Sequence, residues 1–177
     1  HLKGEEILDA GCGLGLDSRS FAAAGFKVTA ADIVAEFLAP LSAAVPPIRT
    51  VVMDLAAPCF REVSFDGIFA CASFLHVPRG LDQEALAALA QTLRPQGVLF
   101  INHVASRLGL HAYRVDDLLV KDNPAFCFCH GEEEFVGMLE LAGLEVVAMH
   151  HERPLRRPSP CAERYQLAPY QVVARKP

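Results

Sequence analysis

The 177 residues carry 21 acidic and 16 basic side chains, a formal charge of −5, and 52% of them are hydrophobic. That balance excludes a disordered chain and disfavours a general nucleic-acid binder, which needs a basic surface. No apolar run reaches the roughly 20 residues of a membrane span, and no basic-then-apolar leader precedes the first strand, so one cytoplasmic domain over residues 1–177 without a membrane partner is expected.

In chain order, Glu5–Asp9 reads as a first strand. It runs into Asp9-Ala10-Gly11-Cys12-Gly13-Leu14-Gly15-Leu16-Asp17, an acid followed by three glycines at alternate positions. Glycines so placed let the backbone turn tightly and approach a ligand closely. A dinucleotide fingerprint would put its third glycine where Leu16 stands, and no Gly-Lys-Ser/Thr of a P-loop follows. Asp17–Ala24 then reads as a helix stopped by Gly25. Lys27–Asp32 is a second strand ending on an acid, and Asp32, 21 positions after Gly11, is placed to accept hydrogen bonds from a nucleoside ribose. A helix over Ala35–Ala44 closes at Pro46-Pro47. Ile48–Met53 is a third strand, followed by Asp54-Leu55.

Phe65–Ala72 is a fourth strand, apolar as a strand buried on both faces should be, with Cys71 inside it. After it come Ser73-Phe74-Leu75-His76-Val77-Pro78. Asp82 is expected to cap a helix with apolar positions Ala85, Leu86, Leu89, Ala90 and Leu93 at the 3.6 period. Pro95-Gln96-Gly97 is expected to turn into a fifth strand, Val98–Asn102. The long stretch 104–130 reads as a loop forming a lid or substrate wall, with Tyr113 as a substrate contact. Glu132, Glu133 and Glu134 crowd the start of a helix, where its dipole favours negative charge, and Gly143 ends it. The last two strands, Leu144–Met149 and Tyr170–Ala174, are joined by a Pro- and Arg-rich loop without helical period, so they should pair as antiparallel neighbours. Repeated strand–helix units require an α/β fold, a doubly wound and mostly parallel sheet.

The glycine loop resembles motif I of the class I S-adenosylmethionine-dependent methyltransferases, and Phe65–Pro78 resembles the fourth strand and following turn of their small-molecule members, the methyltransferase type 11/12-like group. The resemblance extends from Glu5 to Arg175. It implies a seven-stranded Rossmann-like sheet with one reversed C-terminal strand, and S-adenosylmethionine as cofactor. It implies a cofactor site of Asp9, Gly11, Cys12, Gly13 and Gly15 at the methionine end and Asp32 and Ile33 at the ribose. Asp54 and Leu55 would meet the adenine, and Ser73 and Phe74 would flank it. The function so implied is methyl transfer to a small molecule. No Asn/Asp-Pro-Pro-Tyr/Phe is present, which argues against adenine-N6 and glutamine methylation.

His76 is the candidate catalytic base, because an imidazole titrates near neutral pH and can accept the proton of a hydroxyl or thiol. His103 is a weaker candidate on the same edge. Arg153, Arg156 and Arg157 leave the sixth strand on the ligand side, and their bidentate chemistry suits an anionic acceptor. The six cysteines read as reduced, partly buried thiols. Cys127-Phe128-Cys129-His130 lacks the second pair that a zinc site requires, and no metal is expected. Two other readings stay open: a regulatory protein that binds S-adenosylmethionine or S-adenosylhomocysteine without turnover, and a metalloid methyltransferase using Cys127, Cys129 and Cys161 as thiolates.

Overall fold

A computed structural model of the chain describes residues 2–42, 47–115, 125–151 and 160–177. Seven strands form one sheet: β1 (Glu6–Ala10), β2 (Lys27–Asp32), β3 (Arg49–Val52), β4 (Phe65–Ala70), β5 (Leu93–Ser106), β8 (Glu145–His151) and β9 (Leu167–Arg175). Their order across the sheet is β3-β2-β1-β4-β5-β9-β8. β1 lies parallel to β2 and β4, β2 to β3, and β4 to β5, whereas β9 runs antiparallel to both β5 and β8. This is the mostly parallel seven-stranded sheet with a reversed C-terminal strand that the resemblance implied.

The order fixes where a ligand can lie. From β1 the chain winds outward to β3, then returns to lay β4 on the other side of β1. Connections leaving β1 and β4 therefore diverge to opposite faces, and a crevice opens at the carboxyl ends of these strands.

Alternation along the strands divides the core. Leu8 and Ala10 of β1, Ile68 and Ala70 of β4, and Leu99 and Ile101 of β5 are buried on one face. There they meet Leu86 and Leu89 of α3 (Asp82–Thr92) and Phe135 and Leu139 of α4 (Glu132–Leu141). Burying each of these Leu or Phe side chains contributes about 1.5–3 kcal/mol. The opposite face packs Val28 and Ala30 against Ala22 of α1 (Leu16–Ala23) and Leu38 of α2 (Ala35–Leu38), together with Leu41 and Ile48.

Several local expectations change. The second helix ends at Leu38 rather than Ala44, and residues 43–46 lie outside the described range. β4 stops at Ala70, which leaves Cys71 exposed beyond it. Pro95-Gln96-Gly97 does not begin the fifth strand; it is an irregularity within one strand from Leu93 to Ser106, where Gln96 takes a left-handed φ of 66°. Asp82 is the first residue of α3 rather than its cap. The stretch 104–130 is not simply a loop, because β6 (Ala112–Val115) and β7 (Ala125–Phe128) pair as a separate antiparallel hairpin. Residues 116–124, between these strands, and 152–159 lie outside the described range, and α5 (Pro160–Arg164) precedes β9.

Candidate active site

The three glycines share a left-handed backbone, φ 78° at Gly11, 52° at Gly13 and 74° at Gly15, but serve different ends. A Cβ on Gly11 would lie 2.3 Å from the Ser73 Cβ, so this position lets the loop pass against the turn after β4. One on Gly15 would collide with the buried Leu41 side chain at 2.4 Å. At Gly13 it would meet nothing within 4 Å. Only Gly13 faces open space, where a bound molecule can approach the chain.

The loop is fastened to the end of β2. Ala31 O accepts Gly11 N–H at 2.7 Å and Cys12 N–H at 3.0 Å. Asp32 Oδ2 accepts Gly13 N–H at 2.8 Å, and its Oδ1 accepts Val34 N–H at 2.9 Å. Each carboxylate oxygen keeps a further lone-pair direction for a ligand hydroxyl. Beneath the loop, Ser18 Oγ of α1 donates to Asp9 Oδ2 at 2.5 Å. Burial raises the Asp9 carboxyl to about 6, against the Ser18 hydrogen bond. Burial also pushes the Cys12 thiol to about 12, with Asp9 and Asp32 adding to it, so this sulfur stays protonated.

The other expected cofactor residues divide into those at the surface of the crevice and those behind it. Ile33 is 63% exposed, Asp54 is exposed and folds its Oδ1 onto Ala56 N–H at 2.8 Å, and Leu55 is half-buried beside Gly11. Ser73, by contrast, is buried and donates to Ala10 O at 2.6 Å, which ties the β4 turn to the end of β1. Phe74 is 1% exposed and packs against Phe135 and His103 in the core. Both support the crevice from behind.

His76 ends the 3₁₀ turn Phe74–His76 and is exposed. Its Nδ1 lies 3.0 Å from the carbonyl oxygen of Phe126 on β7. A carbonyl can only accept, so Nδ1 is the donor in this contact, with Cys127 Sγ 3.8 Å from the same nitrogen, and in the neutral ring Nε2 then holds the lone pair. Tyr113 is turned inward instead, among Leu75, Val104, Cys127 and Cys129. Arg153, Arg156 and Arg157 lie outside the described residues. Among the described residues no group of three His, Cys, Asp or Glu side chains could hold a metal ion. Cys127 and Cys129 are buried, and the Cys161 side chain is outside the described range.

Residue-by-residue reading of the sequence missed a buried polar chain behind His76. His130 is 2% exposed; its Nε2 lies 2.8 Å from Asp82 Oδ2 and its Nδ1 2.8 Å from His103 Nε2. Asp82 Oδ1 accepts Gly80 and Gln83 N–H. Burial alone would raise the Asp82 carboxyl, but these donors and His130 hold it below the usual range. Burial lowers His103 to about 3 and also lowers His130. With an ionised carboxylate at one end, protons are ordered as Asp82 ← H–Nε2 His130 and His130 Nδ1 ← H–Nε2 His103. No residue spacing announces this chain, since its members are 21 and 27 positions apart. The signals available were the expected cap at Asp82 and His103 as the weaker candidate base, which the structure places fully buried in this chain instead of at the crevice surface.

The family model described as a methyltransferase domain matches residues 7–97. A ubiquinone biosynthesis O-methyltransferase of Xanthomonas campestris pv. campestris is 37% identical over 108 residues, 57% of this chain but 44% of that protein, so this chain spans less than half the length of that relative. An S-adenosylmethionine-dependent methyltransferase of Methanosarcina mazei superposes with a TM-score of 0.79 at 18% identity, covering 98% of this chain and 92% of that one. The 1,6-didemethyltoxoflavin-N1-methyltransferase of Burkholderia thailandensis, solved with S-adenosylhomocysteine and its acceptor, gives 0.72 at 25% identity, covering 98% and 72%. The glycine at open space, the acid at the end of β2 and the crevice between β1 and β4 fit that cofactor, and the chain belongs to the S-adenosylmethionine-dependent methyltransferase domain family.

Proposed function

We propose that the protein transfers a methyl group from S-adenosylmethionine to a hydroxyl of a small-molecule acceptor, with His76 Nε2 taking the hydroxyl proton. The observation that carries this reading is the Phe126 carbonyl at His76 Nδ1, which leaves Nε2 as an acceptor at an exposed position. The O-methyltransferase name of the Xanthomonas relative favours oxygen as the atom methylated.

Bound in the crevice, S-adenosylmethionine supplies an electrophilic methyl on a positively charged sulfur. Gly11, Gly13 and Gly15 shape the loop that receives its methionine end. Asp32 accepts from the ribose and Asp54 from the adenine amino group, beside Ile33 and Leu55. His76 holds the acceptor hydroxyl by Nε2, and takes its proton as the new carbon–oxygen bond forms and the carbon–sulfur bond breaks. The rest of the barrier is lowered by alignment of oxygen, methyl and sulfur. Arg153, Arg156 and Arg157 suit an acceptor that bears a carboxylate or phosphate.

The test is release of S-adenosylhomocysteine across a panel of phenols and hydroxylated acids. His76→Ala is expected to lower kcat about 10²–10⁴-fold with S-adenosylmethionine affinity unchanged. Equal kcat in wild type and variant would remove His76 as the base. Tight cofactor binding with no turnover of any acceptor would favour the regulatory reading.

A further inference from the structure

The Phe126 carbonyl at His76 Nδ1, with Cys127 Sγ 3.8 Å from the same nitrogen, biases the neutral ring toward the form that presents Nε2, so whatever holds β7 in place also biases the tautomer of the base. The segment that carries His76 does this itself. Three residues further on, Arg79 Nη1 donates to Cys129 O at 2.6 Å. His76 and Arg79 thus grip two carbonyls three residues apart on the same stretch of chain, at Phe126 and Cys129. The Arg79 guanidinium is in turn held by Glu134 at the start of α4. Partial burial would raise the Glu134 carboxyl, but Arg79 outweighs it and keeps that group ionised. The next residue, His130, is fixed by Asp82 and His103.

We infer that Arg79 is a positioning residue for methyl transfer: by fixing the Cys129 carbonyl through an arginine braced on Glu134, it keeps the Phe126 carbonyl on His76 Nδ1 and so keeps Nε2 available to the acceptor. This rests on His76 as the base. Arg79 is suited to the task because a guanidinium donates from two nitrogens in a rigid fork, one toward the carbonyl and one toward the carboxylate. A lysine offers a single flexible point of donation and cannot hold both partners in that geometry.

The experiment is nitrogen-15 NMR of the imidazoles in the full chain, which reads the His76 tautomer without any acceptor, paired with kcat and KM. Wild-type His76 is expected as the Nδ1–H form. Arg79→Met keeps the apolar stem and removes the donors. It should shift His76 toward Nε2–H and lower kcat about tenfold, with acceptor KM and cofactor affinity unchanged. Arg79→Lys should restore part of both. Should Arg79→Met not fold, Glu134→Gln, which only loosens the brace at the surface, is expected to move the His76 signals and kcat in the same direction by a smaller factor. A His76 tautomer identical to wild type in each folded variant would overturn the proposal. If His76→Ala instead turns over at the wild-type rate, the base reading fails, while the NMR result still shows whether Arg79 sets the ring.

Discussion

Residues 7–97 and residues 98–177 build one sheet, yet they are constrained in different ways. The first half, the span of the family match, holds its ligand edge with backbone groups: left-handed glycines, two N–H groups on Ala31 O, and a carboxylate on Gly13 N–H. The second half contributes side chains, with His103, His130 and the β6–β7 hairpin closing on a turn from the first. A cofactor of fixed shape can be met by a fixed backbone, and backbone demands restrict residue type locally. The side chains of the second half lie on a separate hairpin, and their positions depend on contacts distant in sequence.

The sharpest way to break this division is Gly13→Val. The side chain would enter the space a ligand needs and hold an unfavourable φ, so cofactor binding is expected to become unmeasurable by calorimetry. Gly11→Ala would instead drive a methyl into Ser73 and lose stability, by about 1–3 kcal/mol from overpacking, visible as a lower denaturant midpoint. If both variants lost only stability, the loop would not be the cofactor site. Asp32→Ala should weaken S-adenosylmethionine by about 2–4 kcal/mol, as it loses ribose hydrogen bonds and the anchor of Gly13 together.

Smaller effects belong to the second half. Arg156→Ala with Arg157→Ala is expected to raise KM for an anionic acceptor about tenfold while cofactor affinity holds. Equal loss with neutral acceptors would take recognition away from these two arginines.

The two halves should also titrate with opposite sign. His103 is depressed to about 3 from 6.5, so the unfolded chain binds a proton that the fold refuses. That stability is present above pH 6.5 and lost as pH falls toward 3. Asp9 is raised to about 6 from 3.8, so its contribution is present below pH 3.8 and lost as pH rises through 6. Between pH 7 and 5, His103→Phe should therefore lose less melting temperature than wild type, and Asp9→Asn should lose more. Parallel melting curves for all three proteins would mean that neither group is linked to folding.

What could be read in the residues follows the same line. The mostly parallel sheet followed from the alternation of strand and helix signals, and the antiparallel pairing of the last two strands from the lack of helical period between Met149 and Tyr170, although the five-residue α5 lies in that connection. The positions of the glycine loop, Asp32 and Asp54 at strand ends were legible because the spacing of each is tied to one strand. Phe74 was not: a phenylalanine after a strand can turn to ligand or to core, and Phe135 and His103, from two later elements, decide for the core. The 104–130 stretch hid a hairpin because Ala112–Val115 and Ala125–Phe128 are short strands that, among the described residues, pair with each other alone. His76 was singled out by residue type alone, and its contact with a backbone carbonyl fifty positions away was not legible.

Strand β9 sits between β5 and β8, and among the described residues β8 is bonded in the sheet to β9 alone. Synthesis proceeds in the other order, so β8 leaves the ribosome before β9, the strand it is paired with in the sheet. During that interval β5 and β8 both present open edges, the kind of exposed template that invites pairing with another chain. The sheet is sealed by insertion of Leu167–Arg175 into a gap that must stay open for it. Losing that one segment would cost the fold two strands, so nascent-chain aggregation and proteolysis should be governed by how quickly it arrives.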